Sequence, residues 1–235
     1  MTTTPTTPTK TTPTKMTPTT TGLLTMGVDL GQRQDPTAMI VIESNRMPDG
    51  WNHRVVGAGR APLGTPYGVV ADQVKARAAD LLSSGRQVNI VADATGVGIP
   101  VVDDLIRKGA PCPVTGIVFV TGFNPKIDPT KRECNVPKTD LVNVTVVAAE
   151  QGRLRISAGL DEREALIEEL GVVESKLGPT GRERITHRDG THDDMVMAMC
   201  CAVWFVEKSG LAIPPVCKVG FSSTARGETP KFKRP

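Results

Sequence analysis

The sequence predicts an α/β fold in which helices flank a mixed central sheet of about five strands. Three apolar, strand-like runs come first after residue 22, and helical patterns then alternate with short apolar runs. A three-strand meander followed by alternating helices and strands is typical of a mixed sheet with helices on both faces. In that topology the first strand can lie parallel to the fourth, and their carboxyl ends then share one edge of the sheet.

The first half of the chain has the clearer patterns. Two apolar runs separated by a short polar turn predict a hairpin. Val70, Val74, Ala78 and Leu81 follow the spacing of one helical face, which predicts an amphipathic helix. The expected elements are strands at 23–30, 37–43 and 53–59, a helix at 66–84, a strand at 88–92 and a helix at 99–108.

The second half is less regular. A helix is expected at 138–151 from its length, although several valines in it favour a strand. The other expected elements are a strand at 114–120, a loop at 121–137, a short strand at 153–156, an acidic amphipathic helix at 160–176, one arm of a small hairpin at 182–186 and a final helix at 193–207.

One folded domain is expected at residues 23–208, between two segments of different composition. Residues 1–22 are almost entirely threonine and proline, which favours extended, disordered chain, and Met16 and Met26 are alternative start sites. Residues 209–235 are expected to form a basic flexible tail. Such a tail either adds affinity for phosphates or is simply a solvated end.

Composition argues against several classes of protein. The first 22 residues lack the apolar core of a signal peptide, and the five cysteines show no Cys-x-x-Cys spacing, which together indicate a reduced, cytoplasmic protein. The longest uncharged apolar run has 12 residues, against about 20 for a membrane span. Aromatic residues make up only 3% of the chain, which disfavours binding of nucleic acid by base stacking.

Carboxylates stand at three distant points where predicted elements meet turns. Asp29 in Gly-Val-Asp-Leu-Gly and Asp93 in Val-Ala-Asp-Ala-Thr-Gly each close an apolar run before a glycine, and Asp193 and Asp194 open the final helix. If the fold brings these acids together, with no lysine or arginine beside them in sequence, a cation must neutralise them. The sequence therefore predicts a divalent metal site.

The chemistry expected of such a site is hydrolysis of a phosphodiester. Two divalent ions about 3.5–4 Å apart can activate a water and neutralise the departing oxygen. Asp29 is expected to bridge two divalent ions such as Mg²⁺, while Asp93 and Asp194 each complete one coordination shell and Asp193 is an auxiliary or water-mediated ligand. Asp29, Asp93 and Asp194 are thus the predicted catalytic residues.

The acids also have structural interpretations. An aspartate before a glycine turn is common at strand ends. The residues from Thr191 to Asp194 fit a variant of the capping box, in which a threonine caps the helix and an acid three positions later returns the bond. The capping box explains Asp194 without a metal, but it does not explain why Asp193 is also acidic.

Several weaker candidates surround the acids. His192 is a candidate to polarise a metal-bound water, to contact a phosphate or to pack at the helix start. Thr95, Gly96 and Gly98 lead into a helix whose free N–H groups are a candidate phosphate site. The remaining candidates, for contact with a DNA backbone or as solvated loop charge, are Lys131, Arg132 and Lys138.

Three segments of the chain together resemble the nuclease domain of the large terminase subunits of tailed phages, a branch of the ribonuclease H-like superfamily. They are residues 27–38, 93–98 and 192–198, and the likeness spans roughly residues 24–206. The resemblance implies a Mg²⁺- or Mn²⁺-dependent endonuclease that cuts double-stranded, concatemeric DNA in the host cytoplasm during genome packaging. It assigns the metal-binding acids to Asp29, Asp93 and Asp194.

Complete large terminases place an ATPase before the nuclease, and this sequence contains no Gly-x-x-x-x-Gly-Lys-Ser/Thr loop. The ATPase is therefore expected on a separate polypeptide, unless the protein is a free-standing nuclease. A separate ATPase subunit, a small terminase and a portal are the candidate partners.

Three other interpretations stay open from the sequence. One is a Holliday junction resolvase of the same superfamily. Another is an ATP-binding module of the actin or sugar-kinase type, although that class gives no reason for His-Asp-Asp at the last helix. The last is a catalytically silent scaffold that keeps the nuclease fold to bind a packaging partner.

Overall fold

The computed structural model describes residues 22–31, 35–122, 124–177, 183–188 and 190–211. The predicted disordered segment lies outside these residues except for residue 22, and so does the predicted basic tail beyond residue 211. The helices of the described part are α1 (Tyr67–Ser83), α2 (Gly98–Arg107), α3 (Lys138–Glu150), α4 (Arg163–Leu170) and α5 (Asp194–Lys208).

The described strands form one mixed sheet and one hairpin. The strands are β1 (Leu23–Asp29), β2 (Ala38–Met47), β3 (Gly50–Arg60), β4 (Val88–Asp93), β5 (Val114–Val120), β6 (Lys126–Asp128), β7 (Glu133–Pro137), β8 (Leu154–Ile156), β9 (Val173–Leu177) and β10 (Glu183–His187). The sheet has the order β6-β7-β5-β4-β1-β2-β3-β8, and β9 pairs with β10 apart from it. Its strands β1, β2 and β3 form an antiparallel meander, whereas β1, β4, β5 and β7 run parallel.

Helices cover both faces of the sheet, as predicted. On one face α1 and α2 pack over β4 and its neighbours through residues such as Val74 and Leu105. On the other face α5 lies across β1 and β2, with α3 and α4 against its sides. All residues of α5 from Asp194 to Val206 are buried, which explains why this helix is apolar all round. Within the described residues, no helix is long and apolar enough to cross a membrane.

Two predictions in the second half of the chain were wrong. The expected loop at 121–137 contains β6 and β7, because Cys134 and Val136 are buried and extend the sheet at its edge. The expected helix at 160–176 ends at Leu170, and residues beyond Gly171 form β9, the partner of the predicted hairpin arm. With the short strands β6, β7 and β8, the main sheet has eight strands in the described chain rather than about five.

Gly27 determines how closely α5 approaches the sheet. A Cβ atom built at Gly27 would lie 2.8 Å from the carbonyl carbon of Ala198 and still nearer to its oxygen. Only glycine therefore allows the backbone of α5 to rest on β1 at this point. The contact lies two residues before Asp29 and one helical turn after Asp194, so it brings the two acids towards each other.

Candidate metal centre

Asp29 and Asp93 emerge at one edge of the sheet. β1 and β4 are parallel, and Val28 lies opposite Ala92 in their register. The next residues, Asp29 and Asp93, end these two strands, so both side chains stand at the carboxyl edge. The predicted parallel pairing of the first and fourth strands is confirmed.

The first turn of α5 brings the other two acids to the same place. Asp193 precedes α5 and Asp194 begins it. Together with Asp29 and Asp93 they line a cleft of about 770 Å³. Its wall also contains Asp35, Lys138, Tyr67, Phe119 and the apolar residues Leu30, Val97 and Met197.

Asp29 has the most strongly shifted pKa of these acids. Enclosure of its carboxyl group raises its pKa well above the usual range, and the nearby charges of Asp93, Asp194 and Asp193 raise it further. Lys138 opposes this shift only in part. Four carboxylates in one cleft are therefore an unfavourable arrangement that a bound cation would relieve.

Asp93 is held in place by the turn that follows it. Burial raises its pKa, and hydrogen bonds from Thr95 oppose that shift. The backbone N–H of Thr95 donates to Asp93 Oδ1 at 2.7 Å, and the Thr95 hydroxyl accepts from the N–H of Phe119 at 2.9 Å. Thr95 therefore ties the end of β4 to β5 and orients the Asp93 carboxylate.

Asp194 has an unsatisfied oxygen inside the cleft. Its Oδ2 atom is buried and has no hydrogen-bond partner among the described residues. Burial raises the pKa of Asp194 to about 6, with smaller contributions from Asp35 and Glu169, while His192 lowers it. The nearest charged side chain is His192, whose Nδ1 atom lies 3.6 Å away, beyond hydrogen-bond distance. A buried carboxylate oxygen without a hydrogen bond is unusual in a folded protein and fits a ligand for a cation.

These shifts predict how the stability of the metal-free protein depends on pH. Asp194 binds its proton more tightly in the folded state, where its pKa is about 6, than in the unfolded state, where it is 3.8. The free energy of unfolding should therefore fall as the pH rises from about 4 to above 6. Melting curves in EDTA should show this fall, and Asp194→Asn should reduce it. An equal fall in Asp194→Asn and its parent would contradict the assignment.

Asp193 differs from Asp194 because both of its oxygens face side-chain nitrogens. Lys138 Nζ lies 3.0 Å from Oδ2, and His187 Nδ1 lies 3.2 Å from Oδ1. Lys138 is distant in sequence but follows β7, whose carboxyl end reaches the same edge. No lysine or arginine stands beside the acids in the sequence, as expected, but the fold brings Lys138 next to Asp193.

Sequence reasoning missed Asp35 as a site residue. It lies between β1 and β2, and His192 Nδ1 is 3.1 Å from its Oδ1 and 3.6 Å from Asp194 Oδ2. One ligand atom from each of these three residues lies within 4.8 Å of the others. The available signal was an acid six residues after Asp29 in the hairpin turn.

The predicted capping box at the start of α5 is wrong. The Thr191 hydroxyl donates to the carbonyl of Arg188 at 2.6 Å instead of capping the helix. Glu169 caps α5, because its Oε2 atom accepts from the N–H groups of Met195 and Val196. Glu169 comes from α4, so no local sequence pattern could have indicated it.

The predicted phosphate loop forms the turn that follows Asp93. Gly96 has a φ of +58°, and a Cβ at Gly98 would lie 3.0 Å from the carbonyl carbon of Asp93. Thr95, Gly96 and Gly98 thus shape the turn that carries Asp93. Their binding of a phosphate stays a prediction.

The predicted DNA-contacting residues fall into two groups. Lys138 and His192 lie at the acidic cleft. Lys131 and Arg132 lie at the amino ends of the parallel strands, away from it, where Arg132 Nε donates to the carbonyl of Val114 at 3.1 Å. Contact of Lys131 and Arg132 with a DNA backbone stays a prediction, and the structure does not bring them to the acids.

Comparison with known proteins relates this architecture to one group of nucleases. No protein-family model and no curated protein matches the sequence. The structure is similar to the large terminase nuclease from thermophilic phage G20c, with a TM-score of 0.54 and 18% identity over 77% of this chain and 81% of that one. The same nuclease with bound magnesium gives a TM-score of 0.55 at 18% identity, covering 77% and 80%.

The human cytomegalovirus terminase nuclease domain is also similar, with a TM-score of 0.54 and 14% identity over 82% of this chain and 87% of that one. Sequence identities this low establish only a shared fold. The chemistry of the site has to be argued from the residues of this chain. The protein has the ribonuclease H-like fold of the large terminase nuclease domains.

Proposed function

We propose that this chain is a divalent-metal-dependent nuclease that hydrolyses DNA phosphodiester bonds, with Mg²⁺ or Mn²⁺ as its cofactor. The observation that carries the proposal is the convergence of Asp29, Asp93, Asp193 and Asp194 on one cleft. Nucleases of the same fold have been described with bound magnesium, with bound cobalt and after soaking in manganese.

The donor set fits a hard divalent cation. Carboxylate oxygens are the ligands that Mg²⁺ and Mn²⁺ prefer, and Mg²⁺ keeps several of its waters. Asp194 presents an unpartnered oxygen, and Asp29 stands among like charges. Asp29, Asp93 and Asp194 would hold the metal, with Asp35 and His192 beside Asp194 as further ligands.

When bound, divalent ions would lower the pKa of a water and neutralise charge on the departing oxygen. The residues of the chain prepare the cleft for that chemistry. Thr95 holds the Asp93 carboxylate in orientation. Lys138 pairs with Asp193 and places a positive charge at the wall of the cleft, where a phosphate of the substrate can bind.

The finer parts of the proposal are two metal ions, endonucleolytic cleavage of double-stranded DNA and a role in phage genome packaging in the host cytoplasm. A cleft of about 770 Å³ has room for two hydrated ions and a phosphate group. The terminase nucleases of the same fold support packaging as the biological setting. An ATPase subunit, a small terminase or a portal would then be the partner.

Cleavage of supercoiled plasmid tests the proposal. The purified protein should nick or linearise the plasmid with Mg²⁺ or Mn²⁺ and not with EDTA. Asp194→Asn should lower the rate by roughly 10²-fold or more, because an unpartnered carboxylate oxygen of the cleft is lost. Asp80→Asn is the matched control, since Asp80 is an exposed acid on α1, and it should leave the rate unchanged.

Two outcomes would replace this proposal with an alternative. Cleavage of four-way junctions in strong preference to linear and supercoiled DNA would indicate a resolvase. No cleavage with either metal, together with an unchanged melting temperature on adding Mn²⁺, would indicate a catalytically silent module that binds a packaging partner.

A further inference from the structure

Glu169 is a buried acid that lies outside the cleft yet contacts the helix that carries two of the cleft acids. The residue is only 5% exposed. Its Oε2 atom accepts from the N–H of Met195 at 2.8 Å and from the N–H of Val196 at 3.2 Å. These are free N–H groups of the first turn of α5, where a negative charge is favourable.

The other oxygen of Glu169 is tied to the sheet. Oε1 is ion-paired with the guanidinium of Arg60, the last residue of β3. Arg60 lies opposite Ala38 of β2, and Ala38 lies opposite Asp29 of β1. Arg60 and Asp29 therefore stand in the same row across the sheet, with β2 between their strands.

A continuous chain of contacts connects Asp29 to the start of α5. Backbone pairing links Asp29 through Ala38 to Arg60, an ion pair links Arg60 to Glu169, and hydrogen bonds link Glu169 to the first turn of α5. We propose that Glu169, held by Arg60, is the positioning residue that sets the place of Asp194 relative to Asp29. Its consequence for metal binding rests on the proposed nuclease function.

The site needs such a tether because its acids repel one another. Without a cation, the charge of Asp194 pushes the first turn of α5 away from Asp29, whereas the charge of Asp193 is balanced in part by Lys138. The buried faces of α5 resist this mainly through apolar contacts, which are non-directional. The polar contacts of α5 with Asp140, His53 and Arg153 lie near its other end, at Trp204 and Glu207. The Gly27 contact supports α5 at Ala198, one turn further along, and Glu169 supplies directional bonds at the turn itself.

The experiment compares Glu169→Ala, Glu169→Gln and the control Glu162→Gln with the parent protein. Glu162 Oε2 contacts the same Arg60, at 3.4 Å, and within the described chain its side chain makes no ion pair or hydrogen bond with α5. Glutamine at 169 keeps an oxygen for the N–H groups of α5 but loses the ion pair. The loss of Mn²⁺ affinity and of protection from hydrogen exchange should therefore be smallest in Glu162→Gln, larger in Glu169→Gln and largest in Glu169→Ala.

Two quantities are measured. Hydrogen exchange at the amides of Met195 and Val196 should be faster in Glu169→Ala and unchanged in Glu162→Gln. The Mn²⁺ concentration at half of the metal-induced rise in melting temperature should increase about tenfold or more in Glu169→Ala, as is usual when a residue supporting a metal ligand is lost. The KM for DNA should stay unchanged, which a general loss of structure would not allow.

The outcomes separate this inference from the nuclease proposal. Unchanged exchange at Met195 and Val196 in folded Glu169→Ala would overturn the tether. Faster exchange with an unchanged Mn²⁺ midpoint would overturn its role in placing Asp194. If the parent neither binds Mn²⁺ nor cuts DNA, the nuclease proposal fails, and the exchange data still decide whether Glu169 holds α5.

Discussion

Gly27→Ala should lower the free energy of unfolding by about 3 kcal/mol or more, because the new methyl group would overlap the backbone of α5. A Cβ at this position lies 2.8 Å from the carbonyl carbon of Ala198, nearer than real Cβ atoms approach such an atom. A helix backbone cannot move aside as a flexible side chain can. At this chain length the loss corresponds to a fall of about 6–12 °C in melting temperature.

The matched control is Gly59→Ala. Gly59 is also a strand glycine, in β3, but a Cβ built there meets nothing within 4 Å. Thermal or urea unfolding should show little change for Gly59→Ala beside a large loss for Gly27→Ala. Equal stability of the two variants would mean that α5 does not rest on β1 as described. The displaced helix should also weaken Mn²⁺ binding, since Asp194 would move away from Asp29.

Asp29→Asn should abolish cleavage and at the same time stabilise the metal-free protein. Under the proposed function, loss of the central carboxylate would remove several kcal/mol of metal-dependent stabilisation of the transition state, so the rate should fall by roughly 10³-fold or more. The melting temperature in EDTA at neutral pH should rise by roughly 2 °C or more, because a carboxyl that resists ionisation is replaced by a neutral amide.

The sign of the stability effect follows from the direction of the pKa shift. The pKa of Asp29 is raised in the folded state, first by burial and then by the charges of Asp93, Asp194 and Asp193. Below the ordinary pKa of 3.8 the carboxyl is protonated in both states and costs nothing. As the pH rises above that value, the unfolded state ionises first, and the folded protein loses stability. Asparagine removes this loss, because its amide does not ionise.

Melting curves from pH 4 to 8 in EDTA test this prediction beside the cleavage assay. The rise in melting temperature caused by Asp29→Asn should grow with pH and should vanish near pH 4. A gain that is absent at neutral pH, or that is as large at pH 4, would show that Asp29 is not a strained carboxylate. Under the proposed function, saturating Mn²⁺ should reverse the order, since the variant would lack the carboxylate proposed as the central ligand.

Much of the fold could be predicted from local patterns. The meander, the buried strand β4 and the helices α1, α2 and α5 were all recognisable, because period and turn residues are local signals. The parallel pairing of β1 with β4 followed from their order. The strands β6, β7 and β9 were not recognised, because each has only three to five residues, too few to show a clear periodic pattern.

The four predicted acids were found because each stands at the end of a strand or the start of a helix, positions that the sequence marks with apolar runs and glycines. Lys138 and His187 reach Asp193 from separate elements, and Glu169 reaches the helix that carries Asp194; no spacing links these three residues to the acids. Local sequence patterns therefore determined which carboxylates end which elements and that they carry unbalanced charge. Only the tertiary structure decided that Asp193 is ion-paired and that Asp194 Oδ2 lacks a hydrogen bond within the described chain. The reason is that ion pairs and hydrogen bonds between distant elements depend on how the elements pack.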